Sequence, residues 1–414
     1  MTAATPTSAL SRTASGGRIG LSVTLCRDPE QFARLAPEWD ALFERCPHAT
    51  PFQTHAWLHS WWLSYGVPGR LRLVIVRRGG ALVGAAPLTL VHRPFPALVP
   101  LGGHISDFFD VLVDAAHVPE VTTALARGLH RAARGRVIDL REVRPGASAE
   151  RLFAQWEGAR RHLTDSVCLD LPGVPIEDLF RRMPATSAKR RRAKLRKLDA
   201  LGVAHRDVAP DAVPEAIATM LRLHGLQWEG RGVTPEHARS RFAEHLTRAV
   251  TRMVRTGHAR ICEYRVGGEV MASDMTLLSG GLAGGYLDGV HPDLRAKTDI
   301  TSMLLRESAR HAAATGRGTF SMLRGAEPYK LRWRPLEVGN QRLLMARREH
   351  RPVLAAYVAM RAARAVAVRE ARRRAPGVLE WRSRLHEARN AGLRASCRPA
   401  LRAVLHGGRA GERG

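Results

Sequence analysis

One stretch of the chain combines a strand, a basic loop and a helix in an order that can bind an anion. Residues 284–290 are apolar and glycine-rich, as in a short buried strand, and residues 291–299 form a polar loop with Arg295 and Lys297. Apolar residues recur at helical spacing from Ile300 onward. The first backbone N–H groups of a helix lack intrahelical acceptors and lie at the positive end of its dipole, so they suit a phosphate or pyrophosphate. The alternative is an ordinary strand-to-helix connection, since no P-loop or GxGxxG signature is present.

Polar residues in two other segments are candidates for binding a substrate. Asp107 and Asp110 stand three positions apart with two phenylalanines between them, a spacing that suits two carboxylates near one cleft. Both also fit the caps of loops or helices. Trp228 and Arg231 follow a predicted helix, and we expect them to line a groove between the two halves of the chain. These four residues form the predicted substrate-binding set.

The chain is strongly basic, with 414 residues and a formal net charge of +27. Such a protein is attracted to nucleic acid, anionic membrane surfaces or polyanionic substrates. One basic block, Lys189 to Lys197, falls between two predicted domains, whereas the basic C-terminal segment also fits a compositional bias without a binding role. No apolar run of about 18 residues occurs. The five cysteines are scattered and give neither a disulfide framework nor a metal-ligand cluster. We therefore expect a cytoplasmic protein without a membrane span or a bound metal.

The order of predicted elements repeats along the chain, which indicates a duplicated α/β fold. Each half contains a strand, helices, a hairpin around a Gly-Gly turn, a third strand, a crossover helix and further strands. The two turns are Gly79-Gly80 and Gly267-Gly268. The predicted domains are a disordered leader (1–18), an N-terminal domain (19–173), a C-terminal domain with the anion loop (174–346) and a basic helical tail (347–414). Elements expected within them include a strand at Phe108–Val113, a helix at Ala149–Arg161 and a basic helix at about Thr186–Leu201.

Four motifs resemble the CelD-like GNAT N-acetyltransferases, a double-GNAT group often described with cellulose biosynthesis. They are Pro51–Leu58 with Trp61-Trp62, Gly84–Leu88, His224–Gly232 and Gly325–Trp333. The last is the most specific, because a glycine is followed shortly by Tyr-Lys and Trp. The resemblance implies an α/β fold of two tandem GNAT-like domains, each a mixed, mainly antiparallel sheet flanked by helices, plus the basic helical tail. The chain departs from the family at Thr298–Ile300, where Ser-Pro-Gly is common.

The resemblance implies that acetyl-CoA donates an acetyl group to an amine of a small molecule or sugar, by direct attack in a ternary complex. Such a reaction needs a deprotonated amine, a polarised thioester carbonyl and a neutralised thiolate. Asp288 is our first choice for the base, Glu327 is an alternative base, and Lys330 is expected to face the substrate cleft. The predicted catalytic residues are Asp288, Tyr329, Lys330 and Glu327. The predicted acetyl-CoA-binding residues are Leu287, Val290, Arg295, Lys297, Thr298, Thr301 and Ser302.

Two other functions stay open at this point. Fem-type transferases also use two GNAT-like domains, with an aminoacyl-tRNA as the donor. The basic helix and the net charge of +27 suit a tRNA partner, although the chain has no long heptad arm of the kind expected in that group. The other alternative is a non-catalytic GNAT scaffold whose basic tail binds an anionic partner.

Overall fold

A computed structural model describes residues 20–92, 94–229 and 234–374, so the predicted leader and most of the predicted tail lie outside the described residues. The strands are β1 (Leu21–Cys26), β2 (Leu71–Arg78), β3 (Ala81–His92), β4 (Pro96–Pro100), β5 (Leu112–Val113), β6 (Val137–Val143), β7 (Ala159–Pro172), β8 (Ala204–Asp207), β9 (Ala259–Val266), β10 (Glu269–Ser279), β11 (Leu282–Val290), β12 (Thr319–Arg324) and β13 (Leu336–Ala346). The helices are α1 (Pro29–Arg34), α2 (Ala36–Glu44), α3 (His55–Tyr65), α4 (Val118–Ala132), α5 (Ser148–Ala154), α6 (Ile176–Arg181), α7 (Ala185–Ala200), α8 (Val213–Gln227), α9 (Ser240–Arg255), α10 (Pro292–Lys297), α11 (Ile300–Ala314), α12 (Pro328–Leu331) and α13 (Arg351–Arg374). In this part of the chain no helix is both long and apolar enough to cross a membrane.

The strands form one mixed sheet in which the two halves of the chain exchange their last strands. The order is β1-β2-β3-β4-β6-β13-β7-β12-β11-β10-β9-β8, and β5 pairs with β3. Each half contributes antiparallel strands and one parallel pair, β4 with β6 and β11 with β12. Strand β7 pairs with β12 of the second half, β13 pairs with β6 of the first half, and β7 and β13 pair with each other. The sheet therefore continues across the domain boundary that the sequence predicts at residues 173–174.

The two Gly-Gly hairpins that the sequence predicts are present, one in each half. The φ angles are 54° and 88° at Gly79 and Gly80, and 58° and 87° at Gly267 and Gly268. Two successive residues with positive φ match the right-handed twist of the flanking strands, and glycine adopts them without a steric cost. The duplication is therefore visible in backbone geometry as well as in the order of elements.

The halves differ where the parallel strands diverge. In the second half, β11 pairs with β12 only from Leu282 to Gly284, so the rest of that edge of β11 has no strand partner. A bulge places Tyr286 as an extra residue opposite β10. In the first half, β5 pairs with β3, and Phe109 bridges to Val143 of β6. In the first half, the segment after β4 thus fills the position that corresponds to the open gap beside β11 in the second half.

Two local predictions near this gap are wrong. Residues 291–299 are not a continuous loop, because α10 forms within them. Pro292 stands at the first helical position, where its missing N–H costs nothing, and the His291 side chain accepts from the Asp293 N–H at 3.3 Å. The strand expected at Phe108–Val113 shrinks to the two residues of β5. The Asp110 carboxylate accepts from the next backbone N–H, and side-chain hydrogen bonds of this kind compete with the pairing of strands.

The helix expected at Ala149–Arg161 is also wrong in its second half. Helix α5 ends at Ala154, and from Ala159 onward the chain is β7. Trp156 between them is buried, and its Nε1 donates to the Ala346 carbonyl of β13 at 2.9 Å. Pairing with β13 therefore overrides the local helical pattern, as strand pairing often does.

Two hydrophobic cores hold the candidate site in place. Helix α3 of the first half packs against α9 of the second, and both share a core with α8 and one face of β10 and β11. On the other face of those strands, α6 and α7 share a core with α11. The basic helix α7 thus lies beside the N-terminal end of α11, and the two cores place both next to the open edge of β11.

Candidate active site

A cleft of about 540 Å³ opens where β11 and β12 diverge. It is lined by β11, the end of α8, the start of α11, and α12, with one contribution from the first half of the chain. Most of the residues predicted from the sequence line it, namely Asp107, Trp228, Leu287, Asp288, Val290, Arg295, Thr298, Thr301, Tyr329 and Lys330. The structure therefore brings the predicted anion loop and the predicted catalytic motif into one cavity.

Asp288 is held in this cleft by α8. Gln227 Nε2 donates to Asp288 Oδ2 at 3.0 Å, and His224 Nδ1 donates to the Asp288 backbone carbonyl at 2.6 Å. The next residue, Gly289, lies so close to the backbone of α8 at Met220 that a Cβ atom would collide with it. The carboxylate is half-buried and open to the cleft, so it can accept a hydrogen bond from a substrate.

Asp274 is a second carboxylate in the cleft, and it was not predicted from the sequence. It is the direct cross-strand partner of Asp288, so both side chains lie on the same face of the sheet. Asp274 is only 6% exposed, Ser308 Oγ donates to its Oδ2 at 3.0 Å, and its Oδ1 makes no hydrogen bond. Burial raises the pKa of Asp274 to about 6, although Arg260 and the Tyr264 hydroxyl oppose the shift. A carboxylate in the middle of a buried strand is costly, and that was the available signal.

The N-terminus of α11 carries a carboxylate that is neutralised by α7. Asp299 Oδ1 accepts from the Ser302 N–H at 3.5 Å, and its Oδ2 lies 3.2 Å from Lys194 Nζ and 3.8 Å from Arg191 Nη1. Arg295 adds a further cation to the lining. The local charge is therefore positive despite Asp299, and the residues present fit a diphosphate at this helix end.

The Tyr-Lys motif supplies one exposed and one buried side chain. Tyr329 is 43% exposed and lines the cleft. Lys330 is 7% exposed, and its Nζ donates to the Arg324 carbonyl at 2.8 Å and to Glu327 Oε2 at 2.9 Å. Glu327 does not line the cleft, and its carboxylate is engaged by Lys330. Tyr329 is therefore the member of this motif with a side chain free for the reaction.

The two predicted aspartates of the first half lie in different environments. Asp107 lines the cleft and forms an ion pair with Arg324, and burial raises its pKa against the effect of that guanidinium. Asp110 does not line the cleft. Its carboxylate accepts from the N–H groups of Ser148 and Ala149 at 2.9 and 2.8 Å, at the start of α5. Burial raises the pKa of Asp110 to about 7.

Two other predicted residues do not line the cleft, and a third falls outside the described residues. Lys297 is exposed at the end of α10 and does not line the cleft. Ser302 is fully buried, and its hydroxyl accepts from Arg191 Nη1 at 3.3 Å. Arg231 falls outside the described residues. Within the described ranges, no group of three or more His, Cys, Asp or Glu side chains is placed to hold a metal ion.

The fold and the cleft define a GNAT-like α/β protein with a mixed sheet flanked by helices, the fold of GNAT acyltransferases. Residues 185–331, from the start of α7 to the end of α12, match the family model described as an acetyltransferase (GNAT) domain. This match contains α7, the open edge of β11 and the Tyr-Lys motif. No curated protein matches the chain.

Solved structures show the same fold at low sequence identity. FemX is 12% identical, with a TM-score of 0.55 over 74% of this chain and 95% of its own. A conserved protein of unknown function from Bacteroides thetaiotaomicron is 11% identical, with a TM-score of 0.53 over 79% of this chain and 100% of its own. A structure from Agrobacterium fabrum, described as the C-terminal domain of a lysylphosphatidylglycerol synthetase, is 11% identical, with a TM-score of 0.52 over 78% of this chain and 94% of its own. These similarities concern the fold alone.

Proposed function

We propose that the protein is an N-acyltransferase that transfers an acyl group, acetyl in the simplest case, from a CoA thioester to an amine. The observation that carries the proposal is the pair Asp274 and Asp288, which lie opposite each other in a cleft that begins at the cationic N-terminus of α11. An amine needs a proton acceptor beside it, and a CoA thioester needs an anion site within reach of the same point. The match of residues 185–331 to a GNAT domain supports this class of reaction.

Each residue of the cleft has its own role in the reaction. Arg295, Lys194 and the first N–H groups of α11 bind the diphosphate of the donor, while Asp288 accepts a hydrogen bond from the attacking amine. The new N–C bond forms as the C–S bond breaks, and the proton lost by the amine passes to Asp288. Tyr329 donates a proton to the leaving thiolate. Asp274 provides a second proton acceptor on the same face, with a pKa near the working range.

Two measurements on the full chain test the proposal. We expect saturable binding of acetyl-CoA by calorimetry, and thiol release when acetyl-CoA is supplied with a panel of amino sugars and polyamines. Asp288→Asn should lower kcat by about 10²–10⁴, because the amine loses its proton acceptor, while acetyl-CoA binding should stay unchanged. Asp211→Asn is the matched control, since that side chain is 98% exposed. Absence of acetyl-CoA binding, or full turnover by Asp288→Asn, contradicts the proposal.

An aminoacyl-tRNA donor is the second candidate, and the cations of α7 beside the cleft favour it. The same calorimetry with tRNA separates the two, because tRNA binding would weaken steeply as salt is raised. A scaffold without catalysis would bind neither donor productively. The CelD-like subgroup, its association with cellulose biosynthesis and the identity of the amine acceptor stay predictions from resemblance, and the amine panel addresses the acceptor directly.

A further inference from the structure

A second cavity of about 530 Å³ adjoins the candidate active site. Lys194, Asp299, Thr301 and Tyr329 line both cavities. The remainder of its lining comes from α7 with the residue before it, and from the end of α12 with the residues after it. We call this cavity the arginine pocket, after the four arginines in its lining, Arg190, Arg191, Arg332 and Arg334.

The arginine pocket holds more positive charge than its own carboxylate can balance. Asp299 is the one acidic residue in the lining, and Arg191 and Lys194 already flank it. In the part of the chain that the structure describes, Arg190 and Arg332 form no ion pair, and Arg334 donates to a backbone carbonyl at 3.2 Å. Burial lowers the pKa of Arg191, and Arg332 and Arg190 lower it further against the opposing effect of Asp299. The lining thus has a net positive charge, and the exposed guanidinium groups of Arg190 and Arg332 are accessible to an anion.

The pocket is also built on a rigid base. The Arg191 guanidinium lies 4.2 Å from the ring centre of Trp333, which is fully buried. Trp333 Nε1 makes no hydrogen bond. Arg334 has a φ of 52°, a left-handed conformation that a residue with a Cβ seldom adopts. Stacking and a fixed backbone turn hold Arg191 and the segment at Arg334 near one geometry, whereas Arg190 and Arg332 are exposed at the edge of the pocket and can reach an anion bound there.

We propose that the arginine pocket binds a phosphomonoester of the acyl donor, the 3′-phosphate on the ribose of a CoA-type thioester. This inference rests on the proposed function, and it adds a phosphate site beyond the diphosphate site at α11. The two sites share Thr301 and Lys194, so a donor bound at one reaches the other over a short distance. A phosphomonoester is a dianion near neutral pH and matches the two guanidinium groups without a partner, Arg190 and Arg332, better than a singly charged phosphodiester does.

The test compares CoA with 3′-dephospho-CoA by calorimetry on the full chain. The wild-type protein should bind CoA about tenfold more tightly, which is the scale of one or two charge-assisted hydrogen bonds. The double variant Arg190→Ala/Arg332→Ala should lose this preference and bind both ligands alike. Neither side chain has an ion pair in the described chain, and thermal unfolding checks that the variant stays folded. The control is Arg196→Ala/Lys197→Ala, which removes the same charge from exposed positions of α7 outside the pocket.

The outcomes separate this inference from the function on which it rests. Equal binding of both ligands by the wild-type protein, or a preference that survives in the double variant, overturns the phosphate site but leaves the acyltransferase proposal intact. Binding of neither ligand removes the acyltransferase proposal as well. If tRNA binds and the double variant abolishes that binding while CoA affinity is unchanged, the pocket serves RNA phosphates and the inference is wrong.

Discussion

Asp274 and Asp288 show how one environment can give two carboxylates different properties. Asp288 is half-buried and receives a hydrogen bond from Gln227, whereas Asp274 is nearly fully buried and keeps one oxygen without a hydrogen bond. Burial dominates the pKa of Asp274, and the nearby charge of Asp288 adds to the increase. The cleft thus contains one carboxyl group, Asp274, whose pKa is raised toward the neutral range in which acid–base chemistry operates.

The buried carboxylate predicts a pH-dependent stability. The folded protein holds the Asp274 proton more tightly than the unfolded chain, so this contribution to stability is full below about pH 4 and is lost as the pH rises through about 6. Asp274→Asn removes it. Relative to the variant, the wild-type protein should lose roughly 3 kcal/mol of unfolding free energy between about pH 4 and pH 7. Urea denaturation across this range measures the difference. Asp211→Asn should show no such trend, and parallel curves for wild type and Asp274→Asn would contradict the prediction.

The position of single residues in the cleft was predictable where they belong to a motif that is local in the sequence. Asp288 and Tyr329 line the cleft as expected, because the strand and the Tyr-Lys motif are local in the sequence. Asp274 was not predicted, because it becomes a candidate only through its pairing with Asp288 on the neighbouring strand. Spacing along the sequence does not give that pairing. The sequence left Asp110 open between a cleft residue and a cap for the same reason, as the N–H groups that it accepts from belong to a helix far along the chain.

At the scale of elements, the contact between α8 and β11 fixes the geometry of the cleft. His224 Nδ1 faces a carbonyl and must donate, so in neutral His224 the Nε2 atom accepts from His237 Nδ1 at 3.1 Å. Burial lowers the pKa of His237 to about 4, which keeps that ring neutral. The close approach at Gly289 lets this chain of hydrogen bonds form.

A methyl group at that contact should push α8 away from β11. Gly289→Ala places a Cβ against the backbone of α8, and overpacking of this kind costs about 1–3 kcal/mol. We expect that loss in chemical denaturation, together with a lower kcat from a displaced Gln227. Gly281→Ala is the matched control in the turn before β11, where a Cβ meets no atom within 4 Å. Similar stability of the two variants would argue against a tight contact between α8 and β11.

Elements with strong local signals were predictable, and elements defined by distant partners were not. The Gly-Gly hairpins need only their turn residues, and α7 was expected at about 186–201 and runs over 185–200. The extent of β7 depends on β13, which lies far along the chain. Whether the gap between the parallel strands is open, as beside β11, or filled, as in the first half, depends in the same way on packing between distant segments.

Across the whole molecule, Arg324 connects the halves through charge. It forms ion pairs with Asp107 and with Glu142 at 3.1 Å, and its Nη2 donates to the His104 carbonyl at 2.8 Å. Asn340 Nδ2 donates to the same Glu142 side chain at 3.0 Å. A residue of β12 thereby holds the first-half segment that lines the cleft. Sequence repeats predicted the two halves, but pairing across their boundary was visible only in the folded sheet.

Removing this arginine should destabilise the assembled sheet. Arg324→Met leaves Asp107 and Glu142 without their shared cation, and because this ion pair is partly buried, we expect a cost below the ~3–5 kcal/mol of a fully buried pair. The loss should be smaller in mild acid, because the pKa of Asp107 is already raised by burial and would rise further without Arg324. Denaturation at neutral and acidic pH measures both effects. Arg196→Met, at an exposed site of α7, should change little. An equal loss at both pH values would show that charge is not the cause.

The exchanged strands also constrain how the protein is made. When the ribosome has produced residues 20–173, β6 can pair with β4 but still lacks its other neighbour, because β13 is translated much later. Strand β7 is likewise complete long before β12 and β13 exist to pair with it. A nascent first half therefore exposes unpaired strand edges, which favour association with other chains. Because of this arrangement of strands, we expect the edges to be shielded during synthesis, either by a chaperone or by rapid translation of the second half.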